Sequence, residues 1–218
     1  MKKTLIAATL MVCAGSAFAE PTAVLQVQGK LTNASCTPEL SNGGVVDYGY
    51  IRLAALNATG NNQLGEKSID LTINCNTATK VYWTMTDNQH DTIAHITVAD
   101  RNNANLEYYQ FGVGMTDNNV KIGNYSVLVN ENSALVDGVT VDTILKNIDQ
   151  NTWTYAGAQR SDTYTMLTVA KTGQLEPLAF TTAVFPLKTT LAIQGTDTLA
   201  ITDDTNINGQ ATITLGYL

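Results

Sequence analysis

The chain has 218 residues, a formal charge of −7 and only 14% charged residues. Its twelve Lys and Arg residues are scattered without a cluster, which excludes the electrostatic footprint of a nucleic-acid-binding protein. The length suits one domain of about two hundred residues, and the abundance of Thr, Asn, Val, Ile and Gly suits β structure.

Residues 1–19 read as an export signal. Lys2 and Lys3 form a basic start, Thr4 to Val12 is an apolar run too short to span a bilayer, and Ala17-Phe18-Ala19 is a small-x-small cleavage site before Glu20. The mature chain then starts near Glu20, without Lys2, Lys3 and Cys13, and its formal charge falls to about −9. Two cysteines remain, Cys36 and Cys75. Their spacing matches no zinc pattern, and an isolated pair in an oxidising compartment is expected to form one disulfide. Closing a loop of about 40 residues this way contributes roughly 4 kcal/mol in the chain-entropy model.

From Ala23 to Cys36 the sequence alternates. Ala23, Leu25, Val27, Gly29 and Leu31 are apolar or lack a side chain, and the set between them, Val24, Gln26, Gln28, Lys30 and Thr32, is largely polar. Period two marks a strand with one buried face. At a free end of the mature chain, such a strand adds either to its own sheet or to another chain's. Thr37-Pro38-Glu39 should leave this strand, and Ser41-Asn42-Gly43-Gly44 reads as a turn. Val45 to Ile51 suggests a short strand, Asn57 to Gly65 an exposed loop, and Ser68 to Cys75 a strand with Ile69, Leu71, Ile73 and Cys75 on one face.

Lys80 to Thr86 continues the pattern with Val81, Trp83 and Met85 inward. Ile93 to Val98 and Glu107 to Met115 are expected strands, and Thr116 to Asn119 a turn before Val120 to Ile122. Residues 125–155 are less regular, with one or two helical turns expected over Val141 to Ile148. Thr163 to Ala170, Leu178 to Phe185, Thr189 to Ile193 and Leu199 to Thr202 are strand-like, and Pro186 marks an edge or a bulge. The chain ends on Ala211 to Leu218, where Ala211, Ile213, Leu215 and Tyr217 share one face. Many short strands and no long helix imply an all-β sandwich. A strand running to the last residue leaves nothing to form the next one.

These residues together resemble the subunits of chaperone–usher pili (fimbriae). Val27 to Cys36 is similar to that family's donor strand running into its first cysteine, with Gly29 where the family places a glycine. Phe111 to Asn119 resembles its mid-chain strand and turn, and Ala211 to Tyr217 its C-terminal strand. The resemblance implies an incomplete immunoglobulin-like sandwich, the pilin fold, with residues 20–32 as an N-terminal donor extension and 33–218 as the sandwich domain. A periplasmic chaperone would fill the open groove first, and at an outer-membrane usher the donor strand of the next, identical or related, pilus subunit would replace it. This is β-strand addition. Leu25, Val27 and Leu31 would be the plugs, contributing about 5–9 kcal/mol before ordering costs, and a lone subunit would carry a projecting or poorly packed segment up to about Thr32. Against the family's pattern the chain is long, with residues 89–105 and 125–155 as candidate insertions, and Gly209 lies nearer the end than the glycine the family shows before its last strand. The resemblance implies no cofactor, a cell-surface destination and a possible host or surface receptor.

Sites for chemistry are weak by comparison. His90 and His95 would lie on opposite faces of an extended segment and read as surface residues rather than metal ligands. Asp203 and Asp204 sit in a turn composition instead of facing each other as paired acids. No Gly-x-Ser-x-Gly elbow occurs, and no enzyme activity is expected. The other reading, from a different class, is an exported sandwich lectin or tip adhesin, with Trp153 as a sugar-stacking platform.

Overall fold

The structure is a computed structural model that describes residues 36–100, 104–129, 132–155 and 157–218. These belong to one compact unit, Asn33–Leu218. The alternating segment Ala23 to Leu31, including Gly29, and the expected projection up to Thr32 lie outside the described residues.

The fold is all-β and antiparallel. Its first strand, β1 (Cys36–Leu40), pairs with β2 (Asn62–Thr79), with Cys36 opposite Cys75 and Leu40 opposite Leu71. Alternation on β2 puts Ile69, Leu71 and Ile73 in the core. On its other side β2 pairs along most of its length with β10 (Phe180–Ile193). The far edge of β10 is shared by β5 (Gly123–Val129), which carries the two-residue β4 (Phe111–Gly112), and by β6 (Ala134–Val136).

A second layer holds β3 (Val81–Asp87), β9 (Thr165–Ala170), β7 (Val139–Asn147), the short β8 (Thr154–Tyr155) and β11 (Ala211–Tyr217). One strand joins the layers: the start of β7 pairs with β6 and the remainder with β9. Between them, Trp83 of β3 meets the edge of Phe185 of β10 at 5.6 Å, and both are fully buried. Two sheets thus pack face to face over a core of alternate side chains. The path through the sheets runs β1-β2-β10-β6-β7-β9-β3-β11, so β1 and β11 stand at its two ends.

Several local expectations are corrected. Thr37-Pro38-Glu39 stays in β1, because the ladder to β2 continues through these residues. Val45 to Ile51 is not a strand: Val46 and Tyr48 do turn inward, but no described strand lies alongside to pair with them. Ile93 to Val98 is irregular after a 3-10 turn at His90–Thr92, with His95 in the left-handed region (φ 55°). Most of Glu107 to Met115 is likewise not a strand; a 3-10 turn at Glu107–Tyr109 leaves only Phe111–Gly112 paired. The expected helix over Val141 to Ile148 is strand β7, where β-branched Val141, Thr143 and Ile144 are buried on a sheet. Leu178 to Ile193 yields one strand, β10, with Pro186 inside it at the point where the neighbour changes from β6 to β5. Leu199 ends a one-turn helix, α1 (Thr196–Leu199), rather than opening a strand. The turn at Ser41–Gly44 does form, with Asn42 and Gly43 left-handed (φ 53° and 63°), a conformation that Asn tolerates and that glycine, lacking a Cβ, adopts freely.

Candidate functional site

A concavity among the described residues lies between the two end strands. One wall is Leu40 with Gly44, Val45, Val46 and Tyr48, which follow β1. The opposite wall is Ile207 to Ala211 and Ile213, leading into and along β11. Core residues form the floor, among them Ile69, Met85, Val113, Tyr125, Val127, Leu187 and Leu191. The cavity measures about 490 Å³. A groove lined by the core itself, and bordered by two end strands, has the shape that a further strand would occupy.

Each wall has its own anchor. The Tyr48 hydroxyl donates to the Thr189 carbonyl at 2.9 Å and lies 3.3 Å from Thr189 Oγ1, and Lys67 Nζ sits 5.6 Å from its ring. Burial pushes the Tyr48 phenol above its ordinary pKa, so it stays neutral and able to donate. On the other wall, Ala211, Ile213 and Leu215 turn toward the core but remain only partly buried, whereas Thr212 and Thr214 face outward. Tyr217 is 42% exposed, and its hydroxyl accepts a hydrogen bond from the Cys36 N–H at 3.2 Å. At that same end the Cys36–Cys75 disulfide fastens β1 to β2.

The opposite end is built around Asp87, the last residue of β3, which pairs with Ala211 at the start of β11. Asp87 is buried, and its carboxylate accepts from the Gly112 and Gln89 N–H groups, each at 2.8 Å. Burial raises its pKa despite those two donors and the neighbouring His90. Gly112 allows the loop to pack here: a Cβ on it would sit 2.1 Å from the Gln89 carbonyl oxygen. Gly209 has a similar place in the groove wall, where a Cβ would lie 2.9 Å from the ring of Tyr125.

Of the residues picked out from the sequence, Cys36 and Cys75 are joined, and Ala211, Ile213, Leu215 and Tyr217 share β11 beside the groove. The donor positions Ala23, Leu25, Val27, Gly29 and Leu31 lie outside the described residues. His90 stands 3.4 Å from Glu107, with both side chains about half exposed, and no group of three or more metal-binding side chains occurs among the described residues. Asp203 and Asp204 are exposed in a bend. Lys146 sits over the Trp153 ring at 5.2 Å, so that ring face is already used. Sequence reasoning misses Tyr48, Tyr125 and Asp87. The first carries a signal, alternation with Val46, that reads as a strand. The other two are defined by long-range packing that no local pattern announces.

Among known proteins, GltF of Escherichia coli (strain K12) is 30% identical, over 98% of this chain and 96% of its own length. The chain belongs to the GltF family. A second relative in the same organism, uncharacterized protein YhcF, is 28% identical over 95% of this chain and 98% of its own length. The family described as protein of unknown function (DUF1120) matches residues 25–126, which take in the Ala23–Cys36 alternation almost from its start, together with β1, β2 and β3. A solved chaperone–usher pilus structure is 12% identical and aligns over 91% of this chain and 97% of its own, with a TM-score of 0.33.

Proposed function

We propose that this GltF-family chain is an exported structural subunit that polymerises by strand addition. The observation that carries the reading is the groove between β1 and β11, whose floor is the hydrophobic core and whose borders are the two ends of the sheet path. On the β11 side the groove is lined from Ile207 to Ile213, about 20 Å at strand spacing. The alternating segment 23–31 spans about 27 Å when extended, and its apolar face suits an apolar groove. Donation of Leu25, Val27 and Leu31 by one copy into the groove of the next would bury both surfaces and lengthen the fibre by one subunit.

The export signal and the Cys36–Cys75 disulfide support passage through an oxidising compartment. On this reading the partners are further copies or related subunits, with a periplasmic chaperone shielding the groove and an outer-membrane usher exchanging it. No catalytic step is assigned. The test is to co-express the mature chain with its periplasmic chaperone, with and without residues 20–31, and to compare unboiled detergent gels. A heat-sensitive ladder that requires the segment supports the reading. A stable monomer in both cases, independent of any chaperone, overturns it.

A further inference from the structure

Two tyrosines line the groove, and their hydroxyls differ. That of Tyr48 is committed to Thr189. The Tyr125 ring stacks on Phe111 at 5.0 Å and packs against both of the larger hydrophobic clusters, so it sits where the groove floor passes from one to the other. Its hydroxyl makes no hydrogen bond with any described residue. An incoming strand would cut this phenol off from water, where leaving it unpaired is costly, and burial raises the Tyr125 pKa strongly, so the hydroxyl remains a donor at every physiological pH.

The groove walls also differ. On one side β11 offers a regular edge of seven residues. On the other, β1 ends at Leu40, and the wall continues as a 3-10 turn and irregular chain to Tyr48. A strand entering the groove finds a full ladder on the first side only. Past Leu40 its main-chain carbonyls on the second side need partners that side chains must provide. A donor reaching up from the floor can approach the main chain only where the incoming strand has no inward side chain. In the segment 23–31 that position is Gly29, between the inward Val27 and Leu31.

We infer that the Tyr125 hydroxyl is a specificity-determining donor for the incoming strand of a second copy, pairing with a main-chain carbonyl beside Gly29. This rests on the strand-addition reading and goes further by naming a polar contact within an otherwise apolar groove.

The test uses full mature chains assembled with the chaperone. Tyr125→Phe keeps the ring and its stacking, and should leave ladder formation intact. The ladders should dissociate about three- to tenfold faster on heating in detergent, as expected for one lost hydrogen bond. Monomer unfolding should not change, because the hydroxyl has no hydrogen-bond partner to lose among the described residues. Gly29→Ala in the donating copy, which lifts the strand from the floor, should remove the difference between wild-type and Tyr125→Phe acceptors. Equal dissociation rates for wild-type and Tyr125→Phe ladders overturn the inference while leaving strand addition standing, as does a Tyr125→Phe effect of unchanged size with Gly29→Ala donors. Absence of any ladder from the wild-type chain overturns both.

Discussion

The hydroxyl of Tyr217, the last residue of β11, accepts a hydrogen bond from the main-chain N–H of Cys36, the first residue of β1, at 3.2 Å. Residues 181 positions apart therefore meet at one end of the groove, where the two terminal strands of the sheet path come together. At this end one hydrogen bond links the two end strands; toward Tyr48 and Ile207 the walls stand apart and the core lines the floor.

Tyr217→Phe removes this tie without changing the ring. Loss of one partly exposed hydrogen bond should cost about 1 kcal/mol. Urea denaturation of the full mature chain should show the lower midpoint with an unchanged slope.

Replacing both cysteines by alanine frees β1 from its covalent link to β2. The loop closed by the bond spans 39 positions of sequence separation, and its loss should cost about 2–5 kcal/mol. β1 forms a groove wall, so the double variant should also lose ladder formation in the unboiled gel, and wild-type protein refolded under reducing conditions should behave the same way.

Tyr48→Phe should loosen the irregular wall after β1, because the hydroxyl pinning it to Thr189 is gone. Arg52 lies four residues beyond, exposed, in the same connection. Limited trypsin digestion should cut there several times faster in the variant, while stability in urea falls by only about 1–2 kcal/mol.

Asp87 should leave a signature in the pH dependence of stability. Burial holds its folded pKa above the ordinary 3.8, outweighing the Gly112 and Gln89 N–H groups. The folded chain therefore keeps this proton to higher pH than the unfolded chain does. As pH rises from 3.8 through the raised value, this residue's contribution to stability falls. Asp87→Asn does not titrate, so the stability of wild type relative to the variant should decline with rising pH across that window, as read from urea midpoints at successive pH values.

The fold class is legible because period-two patterns survive wherever a strand has one buried face, as in Ser68–Cys75, Lys80–Thr86 and Ala211–Tyr217. The pattern misleads where an alternating stretch lacks a neighbour, as at Val45–Ile51, since inward residues alone do not make a ladder. It also misleads at Val141–Ile148, where β7 passes from one layer to the other and its faces change role midway. Pro186 reads as a boundary because a missing N–H usually ends a central strand; here a change of neighbour from β6 to β5 at that point accommodates it. The groove is half legible. The β11 wall is one local segment, whereas the floor gathers Met85, Tyr125 and Leu187 from three strands, and no local pattern links them.

Strand addition between copies is tested most directly by mixing two defective chains. One carries Ile213→Glu, which places a charge in the groove; the other lacks residues 20–31 and cannot donate. Neither should polymerise alone. Mixed after chaperone release, they should give a single heat-sensitive dimer, the blocked chain donating into the open groove of the truncated one. Two monomers that never pair, or a ladder from the truncated chain alone, would contradict the account.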